Sequence, residues 1–165
     1  MVIWLIGISG SGKTFYGKKL YSLISKKKKV IHIDGDEIRK YINYKLKYSK
    51  KDREKNSLTI SDLCNFLEKK GFIVICSILS IFKKHQIRNR KLFKKYIQIY
   101  IKTDVRKVIE RNNKNIYSKK DVVGKGIKFP TPYRSDITIT NDFDNSYKKN
   151  IKLIIKRLNE KLKNN

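Results

Sequence analysis

A glycine-rich octet close to the start of the chain constrains everything that follows it. Gly7-Ile8-Ser9-Gly10-Ser11-Gly12-Lys13-Thr14 fits GxxxxGK[ST], the pattern of a backbone loop that wraps a phosphate chain. Its flanks are those the pattern requires. Val2 to Ile6 is an uninterrupted apolar run, and the segment from Lys13 to Ser25 places Leu20, Leu23 and Ile24 on one helical face. The order is strand, loop, helix. Glycines let the backbone curl until successive N–H groups face a phosphate, and the helix N-terminus adds a positive partial charge. On this reading Gly7, Ser9, Gly10, Ser11 and Gly12 form the cradle, Lys13 reaches the β- and γ-phosphates of a nucleoside triphosphate such as ATP, and Thr14 ligates Mg²⁺. The motif does not by itself separate a kinase from a GTPase or a motor.

The alternation continues down the chain. Val30 to Ile33 reads as a second strand, and the stretch from Asp52 to Lys70 spaces Ile60, Leu63, Cys64 and Leu67 as a helix stopped by Gly71. Phe72 to Ile78 is a nearly continuous apolar run, the signature of a parallel strand covered on both faces. Ile97 to Ile101 and Ile137 to Ile139 supply two more strands, with a helix from about Asp104 to Arg111 between them. A C-terminal amphipathic helix over about 147–163 carries Ile151, Ile154, Ile155, Leu158 and Leu162. Strands alternating with helices predict a three-layer α/β/α fold of the P-loop NTPase type, with a mostly parallel sheet of about five strands. The 165 residues suit a single domain with no internal linker. A stretch of about 112–135, holding Gly124, Gly126, Pro130 and Pro132, is predicted to be a lid segment.

Charge is the second bounding feature. Lys and Arg number 41 against 14 Asp and Glu, a formal net charge of +27, and such an excess attracts anions. A nucleic-acid-binding NTPase is one reading, with Lys26 to Lys29 as the evident patch. Lys, however, is spread through the whole chain together with Ile, Asn and Tyr, residues of AT-rich codons, whereas a dedicated patch is local. The expectation is therefore a small-molecule partner rather than nucleic acid. No apolar run approaches the roughly 18 residues of a membrane span, and the N-terminus lacks signal-peptide layout, so a cytoplasmic protein without a membrane partner is predicted. Cys64 and Cys76 form neither a disulfide framework nor a zinc pattern and are expected to be buried thiols.

Directly after the second strand stands Asp34-Gly35-Asp36, followed by Arg39. In a doubly wound sheet the carboxyl ends of the strands share one crevice, so this carboxylate pair is expected to face the phosphate loop. One carboxylate orients the Mg²⁺ shell, a role that suits Asp34, and one accepts the proton of an attacking hydroxyl; spacing leaves open which of Asp34 and Asp36 is the base. Lys13, Asp34 and Asp36 are the candidate catalytic residues, and Arg39 offers a fork to an anionic substrate. The structural alternative is that Asp36 merely caps the next helix. A carboxylate pair opposite a γ-phosphate favours chemistry over a purely regulatory nucleotide-binding protein.

Together these residues resemble the adenylylsulfate kinase family. The likeness extends through His32-Ile33-Asp34-Gly35-Asp36 with Arg39, Leu46-Lys47-Tyr48-Ser49 leading to Asp52-Arg53 and Asn56, Gly71 to Ser77 with Ser80, Glu110-Arg111, and Lys114-Asn115-Ile116-Tyr117. The resemblance implies transfer of the ATP γ-phosphoryl group to the 3′-hydroxyl of a nucleotide, with Mg²⁺. It places Asp36, Arg39, Tyr48, Arg53, Asn56, Ser77 and Ser80 on the acceptor, Lys114 near the reacting phosphates and Arg111 on the ATP side. Related kinases are commonly dimers, which implies a homodimer here.

Departures from the family pattern bear on the acceptor. Ser57-Leu58-Thr59 follow Asn56 where family members carry arginines, Ile81 replaces a proline after Ser80, and Thr131-Pro132-Tyr133-Arg134 replaces an acidic stretch. Val123-Gly124-Lys125-Gly126-Ile127 stands where the family's Gly-Phe-Thr-Gly-Ile lid supplies a ring that stacks on adenine. Loss of a base-stacking ring removes roughly 1–3 kcal/mol. A branch similar to adenylylsulfate kinase phosphorylates cytidine diphosphoramidate on the route to O-methyl phosphoramidate groups of capsular polysaccharide. Cytidine diphosphoramidate is accordingly the expected acceptor and adenylylsulfate the alternative, with Phe129 or Tyr133 as rings left to grip a pyrimidine.

Overall fold

A computed structural model describes residues 1–111, 123 and 129–163. Five strands, β1 (Val2–Ile6), β2 (Val30–Asp34), β3 (Ile73–Ile78), β4 (Tyr96–Lys102) and β5 (Ile137–Thr140), form one sheet in the order β2-β3-β1-β4-β5. Every pairing in it is parallel. Among the described residues six helices accompany them: α1 (Lys13–Ile24), α2 (Gly35–Tyr41), α3 (Lys50–Lys69), α4 (Lys83–Leu92), α5 (Val105–Arg111) and α6 (Tyr147–Lys163). The expected α/β architecture is the one found. None of the described helices is long and apolar enough to cross a membrane.

Strand β1 is buried throughout because it lies between β3 and β4 and is covered on both faces. Its alternate side chains divide the core. Ile3 and Leu5 join Tyr16 and Leu20 of α1 and Ile154 and Leu158 of α6 on one side. Val2, Trp4 and Ile6 join Ile60 and Cys64 of α3, with Cys76, on the other. Both thiols are buried, as expected. Helix α3 is capped by the Ser49 hydroxyl, which accepts from the Asp52 N–H at 3.1 Å. It ends where expected, at Gly71 in the left-handed region with φ 86°, a conformation glycine adopts without a Cβ penalty.

One local expectation fails and one element escapes the sequence reading, each for an identifiable reason. Leu23 is 50% exposed: the stripe that α1 turns to the sheet runs Tyr16, Leu20, Ile24 at four-residue spacing, and Leu23 lies at its edge, about 60° from its centre. Helix α4 has no apolar periodicity because its buried face is polar, made of His85, Gln86 and Asn89. The predicted lid falls largely on residues 112–122 and 124–128, outside the described ones. Its C-terminal anchor is described. The Tyr133 N–H donates to Gln86 Oε1 at 2.7 Å, and Gln98 Nε2 donates to the Tyr133 carbonyl at 2.8 Å.

Candidate functional site

The sheet order puts β1 between strands that continue the fold in opposite directions, and in open α/β sheets ligands bind at the carboxyl edge of such a switch point. The loop after β1 lies there, ahead of α1. Gly10 and Gly12 take φ of 78° and 94°, left-handed values that a side chain would strain. Lys13 Nζ curls over the loop, donating to the Gly7 carbonyl at 3.1 Å and the Ile8 carbonyl at 2.7 Å. Asn141, just beyond β5 and 4% exposed, donates from Nδ2 to the Ser11 carbonyl at 2.9 Å. Helix α5 packs on the same loop through Val108, which shares a cluster with Ile8. Arg111, the last residue of α5, is exposed with its guanidinium 4.7 Å from the Phe143 ring centroid.

The register carries β2 to the same edge, Asp34 pairing beside Ser77 of β3. Thr14 Oγ1 donates to Asp34 Oδ2 at 2.6 Å, and the Asp36 N–H donates to Asp34 Oδ1 at 2.9 Å. Both Asp34 oxygens are therefore engaged, one by the phosphate loop and one by the first turn of α2. The helix cap is Asp34, not Asp36 as the structural alternative had it. Asp36 is exposed in that first turn.

Beneath the loop, Ser77 Oγ donates to the Lys13 carbonyl at 3.1 Å and lies 2.9 Å from His32 Nε2. With the serine proton spent on that carbonyl, His32 donates to the serine oxygen. Burial pushes the His32 pKa down against the opposing pull of the Asp34 carboxylate. Gly17 of α1 sits against this pair.

Of the residues that the resemblance places on the acceptor, Arg39, in the last turn of α2, and Arg53 of α3 meet at Tyr48. Their guanidinium carbons lie 4.9 and 5.3 Å from its ring centroid. Arg39 also donates to the Lys47 carbonyl, and Arg53 Nε to the Tyr48 carbonyl at 2.9 Å. Asn56 is separate from this cluster, 3% exposed and bonded within the protein. Ser80 is buried, and its Oγ has no hydrogen-bond partner among the described residues. Lys114, Gly124 and Lys125 lie outside the described residues. Of the two rings offered for a pyrimidine, Phe129 is committed elsewhere: it packs against Ile8 and Val108 and stacks on Tyr100 at 5.9 Å. Tyr133 faces Lys83 and Arg134, with cations 5.5 and 5.3 Å from its ring centroid.

Sequence reasoning missed Asn141, the Gly17–His32–Ser77 packing and Asn43, whose Nδ2 donates to Asn56 Oδ1 at 2.8 Å. Only Asn141 left a readable signal, by following the last strand at the sheet edge where the other site residues lie. Chemically, the site combines a cationic cradle, a hydroxyl and carboxylate in contact, a second carboxylate free to face solvent, and two guanidinium groups for an anion.

A family model described as Adenylylsulphate kinase matches residues 1–139. The chain belongs to that family. It is a nucleotide kinase with a P-loop fold. It is 36% identical over 164 residues, covering 95% of each chain, to the cytidine diphosphoramidate kinase of Campylobacter jejuni subsp. jejuni serotype O:2. It is 29% identical over 154 residues to the adenylyl-sulfate kinase of Myxococcus xanthus, covering 87% of this chain and 83% of that one. Among solved structures, the Mycobacterium tuberculosis APS kinase CysC in complex with AMPPNP and APS superposes with a TM-score of 0.84 at 24% identity, covering 96% of both chains. That likeness establishes the shared fold.

Proposed function

We propose that this kinase transfers the γ-phosphoryl group of ATP to the 3′-hydroxyl of cytidine diphosphoramidate. The observation that carries the choice of acceptor is in Ser57-Leu58-Thr59, which stand where the resemblance places arginines just after Asn56. Ser57 is 1% exposed with its hydroxyl 3.0 Å from His85 Nδ1, and none of the three residues supplies a cation for the sulfate-bearing end of adenylylsulfate. Similarity to the Campylobacter jejuni enzyme over nearly the full length of both chains supports the same acceptor.

In the proposed reaction the 3′-oxygen attacks the γ-phosphorus, an O–P bond forms, and the bond to the β-phosphate oxygen breaks to release ADP. Lys13 steadies the phosphate oxygens as charge moves toward the leaving group. Asp36 is the base. It is exposed at the mouth of the site, whereas both oxygens of Asp34 have partners. Arg39 and Arg53 hold the acceptor diphosphate. The Thr14 hydroxyl and Asp34 carboxylate, hard oxygens 2.6 Å apart, fit Mg²⁺ and would hold it, where it neutralises charge on the β- and γ-phosphates.

The test is a side-by-side assay of ADP release with ATP, Mg²⁺ and each acceptor, with ³¹P NMR locating the new phosphate. The expected kcat/KM ratio favours cytidine diphosphoramidate by at least about tenfold, equivalent to about 1.4 kcal/mol. Equal or better turnover of adenylylsulfate refutes the choice of acceptor. That alternative draws support from the family model itself and from the Myxococcus xanthus relative.

A further inference from the structure

Asn56 is placed on the acceptor by resemblance, yet its carboxamide is spent inside the protein. Its Nδ2 donates to the Gly35 carbonyl at 3.2 Å. A carbonyl only accepts, so the orientation of the amide is fixed, and Oδ1 must face the other way. There it meets Asn43 at 2.8 Å, and because Oδ1 only accepts, Asn43 must present its Nδ2. Asn43 is held in turn by its own backbone: its N–H donates to the Ile38 carbonyl at 2.9 Å and its carbonyl accepts from the Leu46 N–H at 2.8 Å.

These bonds close a ring around α2. Gly35 is the first residue of that helix, and Asn43 lies just beyond its last, Tyr41. Seven residues form too short a helix to persist without tertiary support. Neighbouring Ile42 and Tyr44 are 54% and 69% exposed, so apolar burial does not hold the chain inward at this point. What α2 carries is Asp36 and Arg39.

We propose that Asn43 is a positioning residue: through Asn56 it clamps both ends of α2 to α3 and so fixes Asp36 and Arg39 on the acceptor side of the site. The inference rests on the kinase reading above for its kinetic consequence, and on the two amide bonds alone for its structural one.

The experiment measures steady-state kinetics with the acceptor that the wild type turns over, for Asn43→Ala, Asn56→Ala and the double variant, alongside hydrogen exchange at the Asp36 amide. Leaving Asn56 Oδ1 buried without a donor is expected to raise the acceptor KM of Asn43→Ala about tenfold and to lower kcat. The ATP KM should stay within about twofold, because the phosphate loop is not part of the clamp. On the Asn56→Ala background the same substitution should add less than about twofold, the mark of two residues acting as a unit. Asn43→Asp, which is isosteric and offers Asn56 only acceptor oxygens, serves if the alanine variant does not fold, with the same expected coupling. A pure charge effect of that aspartate would persist without Asn56 and would overturn the proposal. So would acceptor and ATP KM rising together, or fully multiplicative effects in the double variant. If the wild type phosphorylates neither acceptor, the functional reading fails on its own. Exchange at Asp36 then still decides the clamp: faster exchange in Asn43→Ala sustains it, and unchanged exchange overturns it.

Discussion

Alanine in place of a mid-helix glycine ordinarily stabilises a helix by about 1 kcal/mol, so Gly17→Ala in α1 tests whether local preference or packing governs the floor of the phosphate loop. A Cβ on Gly17 would stand 2.3 Å from His32 Nε2, 2.6 Å from Ser77 Oγ and 2.9 Å from His32 Cδ2. All three separations are shorter than any van der Waals contact. Overpacking of this kind costs about 1–3 kcal/mol. Parting His32 from Ser77 removes a hydrogen bond worth about 1 kcal/mol, which roughly cancels the helix gain. The expected net effect is a loss of about 2 kcal/mol, or a Tm lower by about 4–8 °C for a chain of this size. Urea denaturation followed by circular dichroism measures it directly. Removing the ring relieves two of the three contacts, so Gly17→Ala should cost less in a His32→Ala background than in the wild type. A Gly17→Ala protein as stable as wild type, or an equal cost in both backgrounds, refutes the packing argument.

Lys13→Ala should reduce kcat by at least about 10³-fold, since it removes the charge that follows the moving phosphoryl group; turnover within about threefold of wild type takes Lys13 out of the mechanism. Asp36→Asn should retain ATP binding, measured by calorimetry, while kcat falls about 10²-fold or more, and an unchanged kcat denies Asp36 the role of base. Arg39→Ala and Arg53→Ala should each raise the acceptor KM with the ATP KM held, because both guanidinium groups gather at Tyr48 rather than at the phosphate loop. Burial lowers the pKa of both His32 and His85, so the unfolded chain takes up these protons first as the pH falls. The stability that their neutral forms contribute is complete above about pH 6.5 and declines below it. Urea midpoints at pH 7.5 and 5.5 should fall in that order, and equal midpoints contradict the assignment.

The parts legible in the sequence are those where periodicity and chemistry coincide. Strands β1 and β3 are covered on both faces and read as an unbroken and a nearly unbroken apolar run, and α3 shows its stripe and its end at Gly71, although it starts at Lys50 behind the Ser49 cap rather than at Asp52. The phosphate loop is legible because positive φ at Gly10 and Gly12 restricts residue choice as strongly as the ligand does. Helix α4 is illegible for the opposite reason. Its buried face is held by hydrogen bonds, Gln86 Nε2 to the Ser80 carbonyl at 2.9 Å and Ser61 Oγ to Asn89 Oδ1 at 2.9 Å, and a polar core leaves no hydropathy signal. Leu23 misleads because an amphipathic pattern fixes the edges of a stripe only loosely, and Leu23 stands at the edge of the one running Tyr16, Leu20, Ile24.

For the site, the spacing of Asp34-Gly35-Asp36 indicates two carboxylates but not their division of labour. The division proposed above rests on tertiary contacts formed across the sheet. Strand β3 separates β2 from β1, yet the Asp34 carboxylate still reaches Thr14, because each strand ends at the same edge and the loop after β1 turns back over it. One carboxylate is tied to Thr14 and to the first turn of α2 and the other is exposed, which is why Asp36 is the base in the proposed reaction. Tertiary contact decides Ser57 as well. A serine in the sequence records only the absence of a cation, whereas the bond to His85 shows a buried position with no room for one. Introducing a cation by Ser57→Arg should therefore cost stability without creating a sulfate contact. A Ser57→Arg protein that folds as well as wild type and turns over adenylylsulfate faster would place that position in the site.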